Sequence, residues 1–506
     1  MMEGIYEGVT TALTSYNIMM VAIGCFAGTF IGMLPGLGPI SAIALMIPIT
    51  YGMDPSSGLI LIAGVYYGAI FGGSTSSILI NAPGVAGTVA TSFDGYPLAK
   101  QGYAGKALAI AAYSSFTGGT IAAVFLLFAA PALAKVSLSF QSSDYFALMV
   151  LGLTAVAAFA GKGKFLKAAI MTVFGLMLST VGTDADSGVS RYTFGNLDLI
   201  DGISFLLLAM AAFALSEALM NVIENKKMSK EEKEALNKDI GNLKVTKKEF
   251  KEMAPVVGRS SVLGFFVGVL PGAGATIASF LAYGMERSIA NVKDKLRFGK
   301  GSIKGLAAPE SANNAACSGS FVPLLTLGIP GSGTTAVILG ALISYGIQPG
   351  PTMYTEQPAL FWSVIISMYI GNIVLLVLNL PLIPYIAKLL AMPKQLLTPL
   401  VIFFSLIGVY LVTFNTFDIY MMVIFSVVAL GLRMLDYPMA PMILGFILGD
   451  MMENNLRRAL TISDGSLSFL WERPITATIL GITIIMLIFP LISQLFSAKI
   501  VNEEDR

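Results

Sequence analysis

The sequence predicts an all-α polytopic membrane protein of about 10–12 transmembrane helices, built as an inverted-topology repeat with Pro/Gly-broken helices or re-entrant hairpins. Three observations predict it. The 506 residues are 55% hydrophobic and only 12% charged, against about 25% charged in soluble domains. Apolar runs long enough to cross about 30 Å of hydrocarbon recur along the chain, as in "ITATILGITIIMLIFPLI". One motif, Gly-x-x-x-Gly-x-Leu-Pro-Gly-x-Gly, occurs twice, each time inside an apolar run: "GTFIGMLPGLGPISAIA" at 28–44 and "GFFVGVLPGAGATIASF" at 264–280.

Loop charges order the elements, because Lys and Arg mark the inner side. Glu3 and Glu7, with no basic residue beside them, place the N-terminus outside. The same stretch lacks the basic start of a signal peptide, so the first apolar segment is expected to be a retained helix. Lys100 and Lys106 put the loop near 94–106 inside. Helices follow near 107–133, 145–160, 168–182 and 202–222. A basic turn with Lys162, Lys164 and Lys167 (inside) and the acidic loop "GTDADSGVSRYTFGNLDLID" (outside) separate them. The lysine-rich stretch 224–259 returns inside and reads as a short amphipathic helix. Further helices are predicted near 398–413 and 418–433, with a last span at 475–497, while 451–474 carries mixed signals.

The first Leu-Pro-Gly-x-Gly copy thus begins outside and the second inside. Two similar units in opposite orientation are an architecture of secondary transporters. A second pair of breaks supports the duplication. "GGSTSSILINAPGVAGTVA" (72–90) aligns with "GSFVPLLTLGIPGSGTTAV" (319–337), Pro83-Gly84 falling on Pro330-Gly331. The predicted domains are a first half at 1–222 (hairpin 15–52, broken helix 58–93), a charged cytoplasmic linker at 223–255, and a second half at 256–500 (hairpin 256–290, broken helix 305–346).

Composition excludes several functions. The 31 basic residues are balanced by 30 acidic ones, so nucleic acid is not an expected partner. There is no histidine, which removes Ser–His catalysis, an H-E-x-x-H metal site and a His proton relay. Cys25 and Cys317 lie in apolar or Gly/Ser-rich sequence and read as small packing residues, with no disulfide framework. No Walker A motif is present. The chain is therefore expected not to be an enzyme and to need no cofactor, the only ion being a transported Na⁺ or H⁺.

A Pro-Gly break in hydrocarbon frees backbone groups at several kcal/mol each, so it survives only where protein buries it or water reaches it. The inner helix N-terminus it creates favours an anion, and the inner C-terminus offers carbonyls to a cation. The residues beside the breaks are the candidate substrate- and ion-binding set: Gly36, Gly38, Ser74, Thr75, Ser76, Asn81, Gly84, Gly272, Gly274, Glu310, Ser311, Asn313, Asn314, Gly331, Ser332, Gly333, Thr334 and Thr335. Plainer readings compete. Gly28-x₃-Gly32 and Gly264-x₃-Gly268 serve close helix packing, the Pro-Gly pairs are simple kinks, and the hydroxyls back-bond their own helices. Glu310 either caps a helix or is a cation ligand or proton carrier. Asp450 and Glu453 read as interfacial.

"GMLPGLGP", "YYGAIFGGSTSSILINAPG", "FDGYPLAKQGYAGKAL" and "GLAAPESANNAACSGSFVPLLTLGIPGSGTTAVILGALISYGIQPGP" resemble the large membrane subunit of the bacterial tripartite tricarboxylate transporters over about residues 15–480. The resemblance implies three partners: a small membrane subunit of about four helices, a periplasmic solute-binding protein, and a small di- or tricarboxylate. It implies drive by a sodium or proton gradient rather than ATP. Lys304 stands where relatives commonly carry an acid before "GLAAPE", which bears on coupling stoichiometry. The alternatives are a stand-alone carboxylate carrier or exporter without a binding protein, and an ion channel. "TLGIPGSGTT" does not separate a cation site from a carboxylate site.

Overall fold

The computed structural model describes residues 2–35, 37–160, 163–184, 186–224, 240–391 and 394–488. Among these residues, seven helical stretches are long and apolar enough to cross a membrane, counting the kinked stretch 86–137 as one, and six shorter apolar helices accompany them. The strands among them are two residues each, β1 (Gly182–Thr183) and β2 (Ser190–Arg191), paired antiparallel. The protein is an all-α multi-pass membrane protein.

The first part of the chain forms α1 (Met2–Ala12), α2 (Ser15–Met33), α3 (Gly38–Thr50), α4 (Pro55–Ile80), α5 (Val89–Leu98) and α6 (Ala104–Ser137). Local chemistry sets their ends. Thr14 caps α2 by accepting the Asn17 N–H. Asp54 caps α4, with Pro55 in the first turn. Asn81 closes α4 in the left-handed conformation at φ 52°. A further left-handed residue, Gly102 at φ 88°, turns the chain between α5 and α6. Next come α7 (Ser142–Ala158), α8 (Phe165–Ser179) and α9 (Phe205–Glu224).

The remainder forms α10 (Lys247–Val269), α11 (Gly274–Ile289), α12 (Ile303–Gly319), α13 (Phe321–Leu327), α14 (Gly333–Ser344), α15 (Pro358–Asn379), α16 (Lys394–Thr413), α17 (Thr416–Met434), α18 (Met439–Ile462) and α19 (Pro474–Ile488). The amphipathic helix predicted within 224–259 falls in part on residues that lie outside the described ones. Residues 240–246 have no regular structure, and a Thr246–Glu249 capping box starts α10, which continues into the apolar arm. Residues 225–239 lie outside the described residues, as do Lys162 and the end of the predicted last span. The stretch 451–474, ambiguous in sequence, continues α18 to Ile462.

The chain divides into two compact units that interleave along the sequence. One comprises Met1–Ala134 and Leu206–Leu430, and the other Lys135–Phe205 and Gly431–Arg506. In the first unit α2 packs along α4, and α10 along α12. The contacts recur at fixed offsets. Gly28 lies on the Val65 backbone and Gly32 on that of Ala69; Gly264 lies on Ala312 and Gly268 on Ala316. Gly72 meets Thr29, and its aligned residue Gly319 meets Phe265. A Cβ at any of these glycines would overlap a backbone, so the packing reading of the Gly-x₃-Gly pairs is the one realised.

In the second unit, α18 packs on α7 and α8. Asp144, fully buried, accepts from Arg473 Nη2 at 2.7 Å and from Thr476. Asp184 in the β1–β2 loop accepts from the Ser187 N–H at 3.0 Å and from Arg457 Nη2 at 2.6 Å. Glu453, read as interfacial, bridges Arg191 and Arg457 at 2.9 and 2.6 Å. The Ser187 N–H first, then the Arg457 guanidinium, hold the Asp184 carboxyl below the usual carboxylate range. A depressed carboxyl contributes stability above its ordinary value and loses it as pH falls. Amides of 182–191 are therefore expected to be protected from hydrogen exchange at neutral pH and to lose protection on acidification below about pH 4. Asp184→Asn is expected to remove that pH dependence.

Candidate functional site

The four breaks meet in pairs inside the first unit. In the first pair, the residues between α2 and α3 face those between α4 and α5. Gly84 lies directly on the Gly32 carbonyl, and Gly38, at φ 61°, opens α3 beside Gly84. The Gly84 N–H donates to Ser76 Oγ at 3.1 Å, and Ser76 Oγ donates to Gly73 O at 3.2 Å. In the second pair, the Gly272 N–H donates to Gly331 O at 3.0 Å. Gly331 abuts Gly268 and Ser320, and Gly274, at φ 60°, opens α11 beside Ser332. At the second pair a backbone group freed by one break is thus satisfied by the other break, and at the first pair the Gly84 N–H is satisfied by the Ser76 hydroxyl of α4, as burial in hydrocarbon demands.

The aligned helix ends match in conformation. Asn81 and Gly328 both end a helix in the left-handed region, at φ 52° and 69°. Only Gly occupies that region without a Cβ penalty, of about 1–2 kcal/mol for other residues and less for Asn. Asn81→Gly is accordingly expected to leave the thermal unfolding midpoint within error. Asn81→Val is expected to lower it measurably. Equal midpoints for both variants would contradict the reading of Asn81 as a conformational cap.

Ser332 caps α14 in a reciprocal box. Thr335 N–H donates to Ser332 Oγ at 3.3 Å, and Ser332 N–H donates to Thr335 Oγ1 at 2.8 Å. Gly333 and Thr334 form the first turn of the same helix. Thr75 is buried on α4. Ser311 donates to Ala307 O at 2.9 Å, so for this residue the back-bonding reading is the one seen. Gly36 lies outside the described residues.

Glu310 is not a helix cap. It sits in the middle of α12, fully buried, and the first half of the chain supplies its partners. Ser74 Oγ reaches both carboxyl oxygens at 2.8 Å, Ser115 Oγ donates to Oε2 at 2.7 Å, and Thr91 Oγ1 donates to Oε1. Asn313 Nδ2 donates to Gly87 O at 3.4 Å. Asn314 Nδ2 donates to Asn313 Oδ1 at 2.8 Å and to Glu310 O at 3.1 Å. Asn314 Oδ1 has no partner among the described residues.

Thr91 and Ser115 were not singled out in the sequence. Each is a lone hydroxyl in a helical stretch, where back-bonding is the ordinary expectation. The buried Asp94, in "FDGYP", was missed too. Its Oδ1 accepts the N–H groups of Gly299, Gly301 and Ser302 at 2.9, 2.9 and 2.6 Å, and its Oδ2 accepts from Tyr283 at 3.0 Å. Asp94 thereby ties the basic loop before α12 to α5. Lys304 pairs with Asp294 at 2.7 Å, and that hydrogen bond holds the Asp294 carboxyl low.

Residues 18–444 match the tripartite tricarboxylate transporter TctA family. The chain belongs to that family. It is a subunit of a tripartite transport system, whose other parts are a small membrane subunit and a binding protein. Two curated relatives, both from Agrobacterium vitis, are similar to this family member. An uncharacterized 52.8 kDa protein of the TAR-I ttuC' 3' region is 43% identical over 500 residues, covering 98% of each chain. An uncharacterized protein of the TAR-II ttuC' 3' region is 44% identical over 236 residues, covering 47% of this chain and 97% of the relative. No solved structure matches. Membership in a transporter family favours transport over catalysis.

Proposed function

We propose that this TctA family member imports small di- or tricarboxylates by alternating access, coupled to a co-transported cation and fed by a periplasmic binding protein. The observation that carries the reading is the pairing of the breaks, Gly84 on Gly32 and Gly331 on Gly268, in one unit. Helices α3 and α14 start at these breaks, and the positive ends of their dipoles suit a carboxylate. Ser332, Thr334 and Thr335 add hydroxyls at the second break. No Lys or Arg lies in 28–44, 72–91, 264–280 or 305–342. An anion there depends on N–H groups, hydroxyls and a cation that travels with it.

Electrostatics support coupling. Bringing a trianion inward against about 100 mV costs about 7 kcal/mol, and two or more co-transported cations offset most of it. The repeat is read as inverted, with halves at 1–222 and 256–500 and a cytoplasmic linker between them. The chain is placed in the inner membrane with its N-terminus periplasmic, and the unit holding the breaks is taken as the moving one.

Proteoliposomes containing this chain and its small membrane subunit test the reading. Di- and tricarboxylates, each with its binding protein, are offered with and without inward sodium or proton gradients. Uptake is expected only with both a gradient and a binding protein. Uptake unaffected by omitting the binding protein would replace the tripartite reading with a stand-alone carrier.

A further inference from the structure

Glu310 breaks the symmetry of the repeat. The alignment that sets Pro83-Gly84 on Pro330-Gly331 sets Ala63 on Glu310, Tyr66 on Asn313 and Tyr67 on Asn314. It also sets Ser74 on Phe321 and Thr91 on Ile338. The two ends of this alignment are therefore chemically unlike. One is a buried carboxyl ringed by hydroxyls and amides. The other is an aromatic cluster, with Tyr66 and Tyr67 each 6.1 Å from the Phe321 ring, which holds buried hydroxyls such as those of Tyr67 and Ser318 but, among the described residues, no carboxyl. The backbone contacts repeat while the chemistry does not, so packing alone does not account for the acid.

A buried carboxylate needs a counter-charge. Leaving one unpaired in low dielectric costs several kcal/mol, and hydroxyl donors compensate only in part. Among the described residues no Lys or Arg bonds to Glu310. Several charged groups on the elements packed around α12 are engaged elsewhere. Asp94 on α5 holds the 299–302 backbone. Arg259 of α10 pairs with Glu286 of α11 at 2.8 Å, and Lys106 of α6 pairs with Glu249 at 2.9 Å. On α4 the titratable side chains are the phenols Tyr66 and Tyr67. One turn along from the carboxyl, the buried Asn314 Oδ1 has no donor among the described residues. In a native interior that marks a missing donor or cation.

We propose that Glu310, with the hydroxyls of Ser74, Thr91 and Ser115, takes one compact monovalent cation, a proton or a sodium ion, in each transport cycle, and that the first half carries no equivalent site. Three hydroxyl oxygens and a carboxylate form an all-oxygen set that suits a small dehydrated cation once the hydroxyl protons turn off the carboxylate. A proton taken by either carboxylate oxygen neutralises the same charge. The role in coupling rests on the carrier reading above; the binding does not.

The test therefore uses no carboxylate and no binding protein. The unfolding temperature of the purified full chain is followed as sodium is raised from about 1 to about 100 mM against choline, at several pH values, for wild type and Glu310→Gln. A wild-type rise with sodium that Glu310→Gln loses would support a sodium site. A wild-type pH dependence that Glu310→Gln loses, with no sodium response, would support a proton site. Thr91→Ala and Ser115→Ala are expected to raise the half-saturating sodium concentration, or to shift the pH response, by about tenfold. These variants keep the proposal testable if Glu310→Gln does not fold. A merely structural role would lower the unfolding temperature equally under all conditions. Retention of the full wild-type dependence in Glu310→Gln, or in both hydroxyl variants, would overturn the site and leave the carrier reading standing. A wild type that responds to neither cation would overturn it as well.

Discussion

Gly331→Val is expected to lower carboxylate uptake by about 100-fold or more, the scale on which small displacements act in preorganised sites, and Gly84→Val to do the same. An added Cβ at Gly331 would stand 2.8 Å from the Gly268 oxygen and 2.9 Å from Ser320 Cβ. At Gly84 it would overlap the Gly32 oxygen. Each break would be pushed off its partner break, and the N–H groups of α3 or α14 would move with it. Gly284→Val is the control, because a Cβ at Gly284 meets nothing within 4 Å. It is expected to retain uptake. The amount of monodisperse protein recovered separates loss of transport from loss of fold. Normal uptake by a well-folded Gly331→Val would remove the paired breaks from the transport path.

Ser332→Ala is expected to have the second-largest effect, an increase of about tenfold in the half-saturating concentration of the carboxylate. The variant loses a hydroxyl at the mouth of α14 and one side of the capping box, the cap alone contributing about 1 kcal/mol. Ser332→Thr keeps an oxygen in place and is expected to restore most of the affinity. If Ser332→Ala changes thermal stability but not affinity, the hydroxyl is only a cap. Comparing the two variants at matched stability makes the distinction.

The helix breaks were legible because Pro and Gly are costly inside an apolar run, and a costly feature written twice is a strong signal. The left-handed ends at Asn81 and Gly328 were not read from it. Glu310 was legible as an ionisable group in a membrane segment. Its setting was not, because it depends on three hydroxyls that lie 195 to 236 residues away. Asp94 was hidden for a related reason: its partners are backbone N–H groups of a loop that only the tertiary fold brings near. The division into two units was not visible either. Halves describe order along the chain, whereas the units gather distant segments, such as α7 and α8 with α18. The continuation of α18 past Asp450 was obscured by its charges, among which Glu453 is held by Arg191 and Arg457.

Side-dependent labelling tests the central claim of alternating access most directly. Cys25 and Cys317 are both buried, so a thiol introduced by Ser332→Cys, a near-isosteric change, reports the second break. Proteoliposomes of known orientation are treated with an impermeant maleimide from either face, with and without carboxylate and cation. The expected result is labelling from both faces, with cargo slowing one and speeding the other. Labelling from one face under every condition, or from both faces at rates that cargo leaves unchanged, would contradict it.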